Sequence, residues 1–266
     1  MIRKPINPGL RMFLGVSSIV VLISIYFYLS YNQHVLNPKD TTIPNFHQLI
    51  EGIIKVTTHD SLGKIWIIED FLATFSRLFY GLSLGVIISV FLGLLMGCFS
   101  TIEAFFLTPL NFLSKIPPTA MMAVFFVLFG TNTSMFIAMI SFGVIPILTQ
   151  TVYQAAKYDV PEELIYKSYT LGASQAEVIF ELIFAYILPK VIESIRLQVG
   201  PALIYLIAAE MMVADIGFGY RLRIQSRLLN MNVVYIYLLI LGIIGYTIDW
   251  IFVLVRKTIC CWHEIK

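Results

Sequence analysis

Apolar residues fall in long blocks along this chain, separated by short polar punctuation, and not in strict alternation. The first block runs from 12 to about 29, behind Arg3, Lys4 and Arg11. A helix crossing the ~30 Å hydrocarbon layer needs a run of about this length. A cleaved signal peptide has a shorter apolar core of ~7–15 residues and a small-residue cleavage site, which this run lacks. It is therefore predicted to be a first transmembrane helix with its N-terminus in the cytoplasm. Further blocks predict spans at about 71–98, 105–129, 135–155, 189–213 and 233–255, the last stopped by Arg256 and Lys257. The fold class read from this pattern is an all-α membrane protein with about six transmembrane helices.

The punctuation carries most of the detail. Between 32 and 70 the chain is polar, and Phe46, Leu49, Ile50, Ile53 and Ile54 recur there at helical spacing. That spacing predicts an amphipathic helix lying on the membrane surface, either as a partner contact or as a peripheral packing helix. In the second span Gly81, Gly85, Ser89, Gly93 and Gly97 fall every fourth residue and form one small-residue stripe. Lipid supplies no hydrophobic drive between helices, so close backbone approach along such a stripe holds them together. Ser114, Pro117 and Pro118 lie in SKIPPTA, 114–120, where the third span must stop or kink. Broken backbone at membrane depth is tolerated where protein or a water-filled cavity satisfies it. The segment is thus either a transport-path element or a simple proline kink. Pro146 predicts a kink in the fourth span and Gly200–Pro201 lies inside the fifth; GTNTS at 130–134 and the glycine-rich DIGFGY at 215–220 are predicted outer turns.

The longest polar interruption of the second half is VPEELIYKSYTLGASQAEVIFELIFAYILP, 160–189. Pro161 suits the first turn of a helix, where its missing N–H has no partner to lose. Glu162 and Glu163 put negative charge at the positive end of the helix dipole. Gly172 closes that helix, since glycine turns left-handed without a Cβ clash. Ser174 and Glu177 then form an S-x-x-E capping box opening a second helix that runs into apolar sequence.

Composition narrows the function classes. Of 266 residues 58% are hydrophobic and 13% charged, against about 25% charged in soluble domains, which excludes the ordinary globular class. Eighteen basic and sixteen acidic side chains nearly cancel, so no nucleic-acid partner is implied. With six spans, Arg3, Lys4, Arg11, Lys157, Lys167, Lys190, Arg256, Lys257 and Lys266 lie inside, whereas Lys39, Lys55, Lys64, Arg221, Arg223 and Arg227 lie outside. The bias agrees with the positive-inside rule, and the arginines after the fifth span are its main exceptions. Cys98, Cys260 and Cys261 are too few for a disulfide framework or zinc site, and His34, His47, His59 and His263 share no metal-ligand spacing. No catalytic constellation and no G-x-x-x-x-G-K-[ST] occurs, so ATP, if used, is bound by another chain.

Glu162–Glu163–Leu164, LGAS at 171–174 and Leu188–Pro189 resemble the cytoplasmic coupling loop of ABC importer permeases, and the DIGFGY turn resembles the family's own at that position. The likeness covers the chain from about Ala73 to the end of the sixth span and is nearest the branch importing nitrate, taurine, alkanesulfonates and related solutes. Two positions depart from the family pattern: Tyr166, Lys167 and Ser168 stand where it has Glu-Ala-Ala, and Ala185 replaces the first of two prolines, leaving Pro189. The resemblance implies a type I importer permease fold with both termini cytoplasmic, in a bacterial inner membrane. It divides the chain into 1–69, a first span with an extracytoplasmic segment; 70–258, a permease core with its coupling loop at 156–189; and 259–266, a cytoplasmic tail.

Function and sites follow as implications of that resemblance. The chain would pair with a second copy of itself, two ATPase subunits holding ATP and Mg, and an extracytoplasmic binding protein, and would bind no cofactor of its own. Small-anion import by alternating access would follow, driven through a coupling helix built on Pro161, Glu162, Glu163, Leu164, Tyr166, Lys167, Ser168, Leu171, Gly172, Ala173 and Ser174. Leu164, Tyr166 and Leu171 would supply its apolar contact. Path candidates are Ser114, Pro117, Pro118, Pro146, Gly200, Pro201 and Glu210. Charges within spans are costly, ~2.5–3.5 kcal/mol at mid-membrane. Arg77, Lys115, Glu193 and Arg196 are placed near interfaces, where they can snorkel or pair. Glu210 and Asp249 lie deeper and match acidic positions of the family; they cap helices, bond across the bundle, or gate the path. If instead they carry protons, the chain is a stand-alone secondary transporter or channel. A membrane anchor without transport is the third reading.

Overall fold

The computed structural model describes residues 7–38, 40–58, 63 and 65–263. Arg3, Lys4, Lys39, His59, Lys64 and Lys266 lie outside the described residues. Eleven α-helices follow in order among the described residues: α1 (Pro8–Leu36), α2 (Phe46–Thr57), α3 (Trp66–Cys98), α4 (Ser100–Leu113), α5 (Met122–Phe129), α6 (Thr133–Gln154), α7 (Glu162–Thr170), the single turn α8 (Gln175–Glu177), α9 (Phe184–Val213), α10 (Phe218–Arg227) and α11 (Met231–Ile259). Among the described residues four stretches are long and apolar enough to cross a membrane: Pro8–Leu36, Trp66–Cys98, Thr133–Asp159 and Met231–Ile259. The other two predicted spans correspond to the broken pair α4 and α5, and to α9, whose 30 residues carry Lys190, Glu193, Arg196 and Glu210.

Two units divide the chain, Met1–Trp66 with Ile224–Leu238, and Ile67–Arg223 with Leu239–Lys266. In the first, α1 starts at an Asn7 cap with Pro8 in its opening turn. It runs on to Leu36, past the predicted end near 29. Tyr26 Oη donates to the Pro44 carbonyl at 2.8 Å, and Ser30 Oγ donates to the same carbonyl at 3.2 Å. α2 opens with an Asn45–Gln48 capping box. Its predicted apolar stripe is at the surface, with Phe46, Ile50, Ile53 and Ile54 exposed. Gly52 and Val56 are its buried residues; a Cβ at Gly52 would sit 2.7 Å from the Asn232 carbonyl oxygen.

The core of the second unit is α6 packed on α9 and α3. Phe136, Met139, Ile140, Val144 and Leu148 of α6 bury against Ile187, Ala202, Leu206 and Ala209 of α9 and Leu78 and Leu94 of α3. The small-residue stripe of α3 is the contact with α6. Cβ atoms at Gly81 and Gly93 would come within 2.8 Å of Ile140 and 2.7 Å of Val152, and Ser141 Oγ donates to the Gly81 carbonyl at 3.0 Å. The predicted proline break is present: α4 stops at Leu113, α5 starts at Met122, and between them short turns join Ala120 N–H to the Pro117 carbonyl and Met121 N–H to that of Pro118. The turn at 215–220 is shorter than predicted, because α10 begins inside it at Phe218.

Candidate functional site

The 160–189 segment folds from its own local signals. Pro161 is the N-cap of α7, one position earlier than predicted, and the two glutamates occupy the first turn. At the other end Gly172 has φ +89, its N–H donates to the Tyr169 carbonyl at 3.0 Å, and Ala173 N–H donates to that of Ser168 at 3.1 Å. These are the paired bonds of a Schellman turn. Ser174 N–H donates to Glu177 Oε2 at 2.7 Å and Glu177 N–H to Ser174 Oγ at 3.3 Å, completing the capping box. Those bonds hold the Glu177 carboxyl below its ordinary range.

No residue of α7 is buried. Ile165, half-buried, packs on the core cluster and ties the helix down. Leu164, predicted for the outer contact, is half-buried too, whereas Tyr166 and Tyr169 are exposed and Leu171 is 88% exposed. Tyr169 was missed by sequence reasoning, although its three-residue spacing from Tyr166 puts both on one face. π-Helical turns, Ala155–Asp159 and Val178–Ile183, bracket the segment. The second lies two turns before Pro189, which sits inside α9 together with Pro201.

Four of the seven path candidates meet. Ser114, Pro117, Pro118 and Pro146 line one cavity of about 230 Å³, joined by Lys115, Gly143 and Tyr205. A Cβ at Gly143 would strike the Tyr205 ring and Pro118, so only glycine lets α6 reach this wall. Gly200 is exposed with nothing within 4 Å of its Cβ position, and Pro201 is half-buried beside it; neither lines this cavity.

Glu210 also stands apart from the cavity and is put to another use. It is fully buried, accepts from Arg77 Nη1 at 2.7 Å, from Thr74 Oγ1 at 3.0 Å and from Gly219 N–H at 3.0 Å. Beside it Asp70 accepts from Gly217 N–H at 3.0 Å and from Arg221 Nε at 2.8 Å, while Arg77 also donates to the Ile216 carbonyl at 2.8 Å. Two acids and two arginines balance, and together they clamp the 215–221 turn to α3. Gly217 has φ +125 and a Cβ there would sit 2.7 Å from the Glu210 carboxylate, so the turn closes over the acid only with glycine. Of its two predicted options Arg77 pairs, and its guanidinium also stacks over Phe136 at 4.3 Å. Arg221 and Arg223 are also committed inward, the latter donating to the Met212 and Ala214 carbonyls, which leaves Arg227 as the exposed one of the three. Asp249 accepts from Arg196 Nε at 2.7 Å, and Glu193 pairs with both Arg196 and Arg256.

The family model for the binding-protein-dependent transport system inner membrane component matches residues 85–259, spanning the stripe from Gly85 onward, the proline break, α7 and the clamped turn. The chain belongs to that family. It is thus a multi-pass permease component of the ABC type, a transport subunit with an importer-permease fold. A chain of Methanocaldococcus jannaschii named as an ABC transporter permease protein is 29% identical, over 75% of this chain and 76% of its own length. The taurine transport system permease TauC of Escherichia coli is 20% identical over 94% and 90%, and the nitrate import permease NrtB of Synechocystis is 23% identical over 66% and 64%. A chain from the MetNI methionine ABC transporter, solved in inward-facing conformations, superimposes with a TM-score of 0.61 at 19% identity, over 73% of this chain and 96% of that one.

Proposed function

We propose that this permease imports a small anion such as nitrate, sulfonate, taurine or bicarbonate, passing it between two copies of the chain by alternating access. ATP and Mg belong to separate ATPase subunits that dock on α7, and a binding protein delivers the solute from the far side. Both termini and α7 face the cytosol of a bacterial cell. The observation that carries this reading is the surface of α7. A nine-residue helix fixed at both ends by backbone turns still leaves Leu171, Tyr166 and Tyr169 in the open. Exposed apolar groups on a short, firmly held polar helix suit insertion into a cleft of a soluble partner.

Relatives named for taurine and nitrate transport support a solute that presents anionic oxygens, a sulfonate in the taurine zwitterion and an oxyanion in nitrate. Proton coupling through the two deep acids is disfavoured by their partners, since Glu210 is bonded to Arg77 and Thr74, and Asp249 to Arg196. A gate of this kind moves only as far as nucleotide and solute bind its two states unequally, so the docking helix must be stiff enough to transmit that difference. Leu171→Cys should crosslink to an engineered cysteine on the ATPase surface in the working complex, and Leu171→Asp should abolish solute-stimulated ATP hydrolysis while the permease still assembles. Full coupling in Leu171→Asp overturns the docking assignment.

A further inference from the structure

Two cavities follow one another along the groove between α4 and α6. Leu107 and Asn111 of α4, with Gln150 and Tyr153 of α6, line one of about 420 Å³ near the α7 end. One helical turn along, Ser114 and Lys115 face Pro146 and Ile147 in the cavity at the proline break. Positions 107 and 111 lie one turn apart on α4, 114 and 115 follow in the turn that ends it, and 153, 150 and 146 step along one stripe of α6. The two cavities therefore succeed one another from the break toward the coupling segment.

Their chemistry is that of a donor surface. The amide nitrogen of Gln150 is shielded from solvent and has no hydrogen-bond partner, although buried donors are normally satisfied. Lys115 is exposed at the second cavity, whose lining includes no acid. In the first cavity Lys190 is paired with Asp159 at 2.6 Å, so the net charge along the track is the one on Lys115. A lysine and two amides cannot face lipid hydrocarbon cheaply, so they face water or a second chain.

We propose that Asn111, Lys115 and Gln150 are the solute-contact residues of the path and select small oxyanions. The amide nitrogens would donate to the solute oxygens and Lys115 would balance its charge. This rests on the reading that the chain supplies half of a solute path, and it adds which residues read the solute.

The test reads thiol reactivity first and nitrate uptake by the same complex separately. In the assembled permease–ATPase complex carrying Cys98→Ser, Cys260→Ser and Cys261→Ser, Gln150→Cys is treated with an anionic or a cationic methanethiosulfonate, and each rate is normalised to a free thiol. The anionic reagent should be favoured. Adding Lys115→Gln should lower that preference about threefold, as removing a unit charge from a wet site does, whereas adding Lys115→Arg should leave it unchanged. If the Gln150→Cys complex fails to assemble, Asn111→Cys takes the same measurement at an exposed position. A thiol unreactive to both reagents in an ATP-hydrolysing complex, or a preference indifferent to Lys115→Gln, overturns the proposal. A preserved preference beside failed anion uptake would instead overturn the import reading and leave the track standing.

Discussion

At the scale of single residues the buried charges matter most. Arg77 and Glu210 satisfy each other out of water, and removing one partner leaves the other charge unsupported. Arg77→Ala should destabilise the permease by ~3–5 kcal/mol, the usual cost of orphaning a buried ion, read as a large fall in the unfolding midpoint of the purified complex. Glu210→Gln should cost less, because the amide keeps an oxygen for Thr74 or Gly219 to donate to. Gly172 poses a different constraint. A β-branched side chain resists its left-handed φ, so Gly172→Val should cost ~1–3 kcal/mol of local strain and loosen α7, lowering solute-stimulated ATP hydrolysis before it lowers assembly. Wild-type coupling in Gly172→Val would show that the turn is not needed for transmission.

At the scale of elements two interfaces can be tested. α3 lies on α6 through backbone-close glycines, so Gly93→Ala pushes a methyl into Val152 and the Thr149 carbonyl and should cost ~1–3 kcal/mol by overpacking. Gly242→Ala on α11 meets nothing within 4 Å and should be neutral or slightly stabilising; thermal unfolding of the two variants checks the contrast. The start of α8 carries a pH dependence. Glu177 has its folded-state pKa below the ordinary carboxylate value, so its cap is fully present above that value and is lost as pH falls through the lowered one. Hydrogen exchange at Ser174 and Val178, corrected for intrinsic rate, should show protection falling on acidification, and Glu177→Gln should flatten that profile.

At the scale of the whole molecule, uptake into vesicles should require ATP, the ATPase subunits and the binding protein together, with no uptake driven by a proton gradient alone. The spans, the proline break, the Schellman turn and the capping box were all legible in the sequence. Each is decided within a few residues: a run of apolar side chains, a missing N–H, a glycine with no Cβ, a serine three positions from a glutamate. The small-residue stripe announced close packing, but not that its partner was α6. What reading in one dimension could not reach was the use of each deep charge. Glu210 matched a gating position as well as a structural one, and Arg77 could snorkel as well as pair, because their roles depend on Thr74, Gly217 and Gly219 arriving from elsewhere in the chain. Local chemistry sets where helices begin, break and end; only the packed fold brings residues 70, 77, 210 and 221 to one place, where burial obliges opposite charges to find each other.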